Sequence, residues 1–125
     1  MRSCPTTVVL GSRSPRRREL LQLLVAPDSI RVLPPTSRQE CGFDGLHNWP
    51  SIESRLAEVA STKCDDVLSQ LKAESANEID EQFAAVLTAD TIIVVTEENG
   101  RLQVLGQPPE DDSCRDVVRN WFHRY

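Results

Sequence analysis

The stretch Leu10-Gly11-Ser12-Arg13-Ser14-Pro15-Arg16-Arg17-Arg18-Glu19-Leu20-Leu21-Gln22-Leu23-Leu24 decides how this chain is read. It has the pattern of a strand end, a tight loop and a helix start. Ser14 is a good N-cap, and Pro15 suits the first helical position. Arg16, Arg17 and Arg18 then crowd the first turn, where the helix dipole favours acidic residues. Each misplaced exposed cation costs on the order of 0.3–1 kcal/mol. A sequence that keeps this conflict points to an anion held there, because free backbone N–H groups at a helix start suit phosphate. Two alternatives stand beside that reading. The arginines can splay into water on their long stems. The Ser-Arg-Ser-Pro-Arg-Arg-Arg string also has the look of a small basic patch for nucleic acid, but it runs straight into an apolar helix and not into a tail.

Outward from this stretch, strand and helix patterns alternate. Thr6 to Leu10 is β-branched and apolar, as in a buried strand. The helix after it carries Leu20, Leu21, Leu23 and Leu24 as an apolar face and is expected to end at Pro27. Ile30 to Leu33 reads as a second strand, and residues 36–50 as a long loop. Ser51 is the expected cap of the next helix, whose buried face is Ile52, Leu56, Val59, Ala60, Val67, Leu68 and Leu71. The nearly continuous apolar run from Ala84 to Thr96 suits central strands. Asn99-Gly100 marks a hairpin, with Leu102, Val104 and Leu105 on the returning strand. A last helix carries Cys114, Val117, Val118, Trp121 and Phe122 at helical spacing, the signature of core rather than of a ligand box. The predicted class is α/β, with a mixed sheet.

Composition narrows the function classes. The chain has 125 residues, 39% of them hydrophobic, enough for one modest domain. A net charge of −5 argues against a general nucleic-acid binder, which shows basic excess over a broad face. It also makes the arginine cluster stand out. The acidic surplus at 65–66, 74–81, 97–98 and 110–112 fits solvated faces and turns. Cys4, Cys41, Cys64 and Cys114 show no Cys-x-x-Cys pair, and His47 and His123 are far apart, so zinc is not indicated. No window has the length of a membrane span or a secretory core. The expectation is a cytoplasmic protein with reduced thiols.

Asp90 is the second informative position. A carboxylate inside an apolar run is costly to bury unpaired. It either accepts backbone hydrogen bonds at a strand end, or serves as a metal ligand or general base facing a cleft. Thr91 beside it is either an ordinary strand residue or a donor to a ligand. Lys63 lies at the border of an apolar helix face, where a snorkelling lysine is the ordinary explanation. Glu40, on the loop, is on its own a solvated residue.

Taken together, these residues resemble the Maf family of nucleoside triphosphate pyrophosphatases. The matching pieces are Leu10 to Leu21, Arg55-Leu56-Ala57 with Lys63 eight residues after Arg55, Ala89 to Val94, and Leu105-Gly106-Gln107-Pro108 before an acidic helix start. The resemblance implies a mixed, twisted sheet flanked by helices, with an active-site cleft as in inosine triphosphatase-like folds. It implies one Maf-like domain over residues 1–125. The activity it implies is hydrolysis of a nucleoside triphosphate to monophosphate and pyrophosphate with Mg2+ or Mn2+, as a housecleaning step. Ser-Pro-Arg-Arg matches the branch acting on dTTP and UTP, and modified nucleotides are the other substrate class. By the same resemblance Asp90 is the proton acceptor and a metal ligand, and Glu40 is a metal-side carboxylate. Ser12, Arg16 and Lys63 contact the triphosphate, while Arg16 and Thr91 match positions that influence base preference. Neither a membrane nor a specific nucleic-acid sequence is an expected partner.

The chain departs from the family pattern in three places. Gln39-Glu40 stands where the family has an acidic pair, and Gln107 stands where it has Lys before Pro. The third is the family's C-terminal portion, which completes the sheet and supplies a glutamine for base selection; it is absent from these 125 residues. The corresponding expectations are an incomplete second lobe, an open cleft wall and an uncovered Trp121–Phe122 face. A homodimer or other partner would then complete the cleft. The alternative is an inactive, truncated nucleotide-binding remnant.

Overall fold

Val8, Val9 and Leu10 are extended and apolar, and they form the middle strand of a small parallel sheet. The computed structural model describes residues 6–37, 42–75, 83–105 and 113–124. Strand β1 (Val8–Leu10) lies between β2 (Ile30–Val32) and β3 (Ala85–Leu87), with Val8 opposite Ile30 on one side and Ala85 on the other. Parallel neighbours need crossover connections. Helix α1 (Pro15–Leu21) and a short 3-10 helix (Pro27–Ser29) lie between β1 and β2, and α2 (Trp49–Ser75) lies between β2 and β3. Val9 is fully buried and packs with Val67 and Leu71 of α2, with Leu33, Phe83 and Val86 at the margin. Each fully buried side chain of this kind contributes about 1.5–3 kcal/mol.

Two compact units make up the described chain. The first holds this sheet, α1 and α2 from Ala57 onward, up to Asp90. The second holds residues up to Leu56 from the loop before α2, and everything from Thr91. In it, β4 (Ile93–Thr96) pairs antiparallel with β5 (Leu102–Leu105), Ile93 facing Leu105. The hairpin signal at Asn99-Gly100 is borne out. Gly100 has φ +83°, and Glu97 N–H donates to the Arg101 carbonyl at 2.8 Å. Helix α3 spans Cys114–Arg124.

Four sequence readings need correction. Helix α1 stops at Leu21, and of its leucines only Leu21 is buried; Leu20, Leu23 and Leu24 are exposed. The chain tightens after Leu20 through Leu23 N–H to Leu20 and Leu24 N–H to Leu21 carbonyl bonds, and these i+3 contacts end the α-helix. Pro27 opens the 3-10 helix and so does not end α1. Helix α2 begins at Trp49, capped by Asn48, whose Oδ1 accepts from Ser51 N–H at 3.0 Å. Pro50 needs an early helical position, which moves the cap back from Ser51. The run from Ala84 to Thr96 is broken between β3 and β4, and Asp90 lies in the break. Thr88 helps to end β3 by donating its hydroxyl to the Ala60 carbonyl at 2.8 Å. In α3, Cys114, Val117, Val118 and Trp121 are half-buried as a stripe and Phe122 is exposed, so the expected uncovered face at Trp121–Phe122 is seen at Phe122.

The expected core face of α2 holds: Ile52, Val59, Val67 and Leu71 are buried. No helix among the described residues is long and apolar enough to cross a membrane.

Candidate functional site

The site grows from the C-terminal end of β1. Gly11 donates its N–H to the Leu87 carbonyl at 2.9 Å, keeping the chain against β3. A Cβ on Gly11 would stand 2.7 Å from methyls of both Thr88 and Val67, so only glycine lets strand, loop and α2 approach this closely. Ser12 follows and is buried. Its Oγ accepts from Ser14 N–H at 3.0 Å and from Arg17 Nη1 at 3.4 Å. Ser14 Oγ in turn accepts from Arg17 N–H at 3.3 Å, the expected N-cap.

The three arginines part company here. Arg16 and Arg18 are exposed, whereas Arg17 is half-buried and donates Nη1 to the Ala89 carbonyl at 2.8 Å. The next residue is Asp90. Its Oδ1 accepts from Lys63 Nζ of α2 at 3.3 Å, with side-chain exposures of only 11% and 16%. Lys63 leaves the apolar face of α2 at its border and turns its charge onto a carboxylate, so it does not snorkel into water.

A second set of bonds fixes the chain leaving β2. Asp66 of α2 accepts from Thr36 N–H at 3.0 Å, from the Thr36 hydroxyl at 2.8 Å and from Ser37 N–H at 3.3 Å. Gln70 donates to Asp66 at 2.9 Å and to the Pro34 carbonyl at 3.0 Å. From the other side, the Arg13 guanidinium donates to the Pro35 carbonyl. The Thr36 backbone bond leads in holding the Asp66 carboxyl at about 2, against a partial opposing push from burial.

An open cleft of about 640 Å3 lies between α1 and the end of β2, bordered by Ser12, Arg13, Arg18, Glu19 and Gln22. It shares Ser12 with the cluster but is not lined by Lys63 or Asp90. Arg13 and Arg18 border this cleft, whereas Lys63 and Asp90 form their ion pair outside it.

Ser12, Lys63 and Asp90 are thus gathered in the first unit, Ser12 reaching the Asp90 segment through Arg17. Arg16 is exposed on α1. Thr91 follows Asp90 but belongs to the second unit, where it is exposed. Glu40, Gln39 and Gln107 lie outside the described residues. Sequence reasoning missed Arg17, since three adjacent arginines carry no signal of which one turns inward. It also missed Asp66, which reads as one of a solvated acidic pair.

Among the described residues no group of three or more His, Cys, Asp or Glu could cage a metal ion. Among the described residues of this cluster, Asp90 offers a carboxylate oxygen. A carboxylate oxygen is a hard donor, the kind magnesium takes together with phosphate oxygens and water.

The family model described as Maf-like protein matches residues 7–124. A dTTP/UTP pyrophosphatase of Alkaliphilus metalliredigens (strain QYMF) is 33% identical over 113 residues, covering 90% of this chain and 47% of that protein. A dTTP/UTP pyrophosphatase of Bacteroides thetaiotaomicron is 27% identical over 113 residues, covering 90% of this chain and 48% of that protein. The chain spans about half the length of the curated relatives it matches. No solved structure gives a significant match. Because this family match extends over nearly its whole length, the chain belongs to the Maf-like family.

Proposed function

We propose that this chain carries the reaction site of a cytoplasmic nucleoside triphosphate pyrophosphatase acting on dTTP and UTP, within one Maf-like domain over residues 1–125. The observation that carries the reading is the Lys63–Asp90 pair, a nearly buried base and cation at the end of a strand. The names of the two relatives support the substrate class.

The roles follow from what each group can do. A triphosphate needs cations, and Arg16, exposed on α1, contributes one. Both lone pairs of the Ser12 hydroxyl are engaged by Ser14 and Arg17, so its hydrogen is left to donate to a phosphate oxygen. Lys63 neutralises charge on the same side as Asp90. Asp90 accepts the proton of a water that attacks the α-phosphorus, and pyrophosphate leaves. A divalent cation held by Asp90 and by Glu40 would stabilise the charge on the phosphate oxygens.

Pyrophosphate release from a panel of nucleoside triphosphates tests this reading. It predicts release from dTTP and UTP with Mg2+ or Mn2+, abolished by a chelator. A folded chain that releases pyrophosphate from no triphosphate would overturn it and leave the nucleotide-binding remnant as the account.

A further inference from the structure

We infer that Arg17 is a positioning residue for the general base: it bridges the Ser12 hydroxyl to the Ala89 carbonyl and so fixes the peptide that carries Asp90. The inference rests on Asp90 being the base of the proposed reaction. Arg17 Nη1 has two hydrogens. One meets the Ala89 carbonyl at 2.8 Å and the other the Ser12 Oγ at 3.4 Å, so this nitrogen has none left for a phosphate. The backbone N–H of the same residue is taken by the Ser14 cap.

Asp90 is thereby held at two points. Lys63 grips its carboxylate, and Arg17 grips the peptide before it. The segment needs such a hold, because Asp90 lies outside β3 and β4 and has no strand ladder to place it. Adjacent helical residues project about 100° apart, so Arg16 and Arg17 cannot do the same work. Arg16 is exposed and available to a ligand, whereas Arg17 is half-buried against the Ala89 carbonyl and sets geometry. Misplacing a reacting group by about 1 Å costs on the order of 100-fold in rate, so loss of this hold should appear in turnover more than in binding.

The test compares Arg17→Gln and Arg17→Lys with the parent chain. Three quantities are read: kcat for dTTP, the Kd of a dTTP analogue with an imido bridge between its α and β phosphates, and the backbone order parameter at Asp90 from nitrogen relaxation. For Arg17→Gln, the expected result is a kcat lowered about 100-fold, with analogue Kd changed less than about threefold. The order parameter at Asp90 should fall from about 0.85 to below about 0.6 while that of Val9 of β1 is unchanged, which separates local release from general loosening. Arg17→Lys, with one compact head in place of the fork, should recover part of the loss and supplies the comparison if the glutamine variant does not fold. An analogue Kd raised about tenfold or more with kcat intact would make Arg17 a phosphate ligand and overturn the inference. So would an unchanged order parameter at Asp90. If the parent chain turns over no triphosphate, the pyrophosphatase reading fails, and the order parameter alone decides the role of Arg17.

Discussion

Lys63 Nζ stands 3.3 Å from Asp90 Oδ1, joining the middle of α2 to the break between β3 and β4. Both side chains are mostly withdrawn from water. Removing one charge leaves the other poorly solvated, at a cost on the order of 1–3 kcal/mol. Lys63→Met should therefore lower stability by about that amount, read from urea unfolding, and should also weaken triphosphate binding. Equal stability of variant and parent would show that the pair contributes nothing to the fold.

Asp66 gives the chain an acid-sensitive fastening. Its carboxyl is held at about 2 in the folded chain against an ordinary 3.8, chiefly by the Thr36 N–H. The unfolded chain thus takes up the proton first as pH falls. The stabilisation is whole above 3.8 and is lost as pH falls through about 2. Asp66→Asn should destabilise the chain at about pH 6, and the gap between variant and parent should close toward about pH 2. Urea unfolding across that range checks it; a gap independent of pH would contradict the assignment.

Gly11→Ala should cost about 1–3 kcal/mol, because the added methyl meets β-branched side chains of Thr88 and Val67 that have few rotamers to retreat into. Thermal unfolding measures this. A neutral effect would mean that the junction of β1, β3 and α2 has slack.

Leu23 and Leu24 are 79% and 87% exposed. Leu24→Gln should change stability by less than about 0.5 kcal/mol, whereas Leu21→Ala, on the buried side of the same segment, should cost about 2 kcal/mol or more. Equal effects at the two positions would restore the broad apolar face that the leucine spacing predicts.

The leucines show where sequence legibility ends. Spacing reveals that a helix is amphipathic, but α1 ends at Leu21, so Leu23 and Leu24 fall beyond it, and of its own two leucines only Leu21 is buried. Asp90 is legible because a carboxylate in an apolar run demands a partner, whereas Lys63 at the edge of an apolar face reads alone as a snorkelling lysine and stands out only through the family resemblance. That the two meet is a matter of parallel pairing of β1 with β3, which places Thr88–Asp90 beside α2, and no local pattern encodes it. The turn at Asn99-Gly100 was readable because its chemistry is local. Arg17 and Asp66 were not, because their partners are distant carbonyls and amides that every residue possesses.

The measurement that bears most directly on the central claim is a pair of experiments on Asp90→Asn. Pyrophosphate release from dTTP is followed with Mg2+, and binding of the imido-bridged dTTP analogue is followed by calorimetry. The account predicts that turnover is abolished while analogue binding survives, because the amide keeps the shape of Asp90 but cannot accept the proton from water. Turnover at the parent rate in Asp90→Asn would remove Asp90 as the base and with it the account of this site.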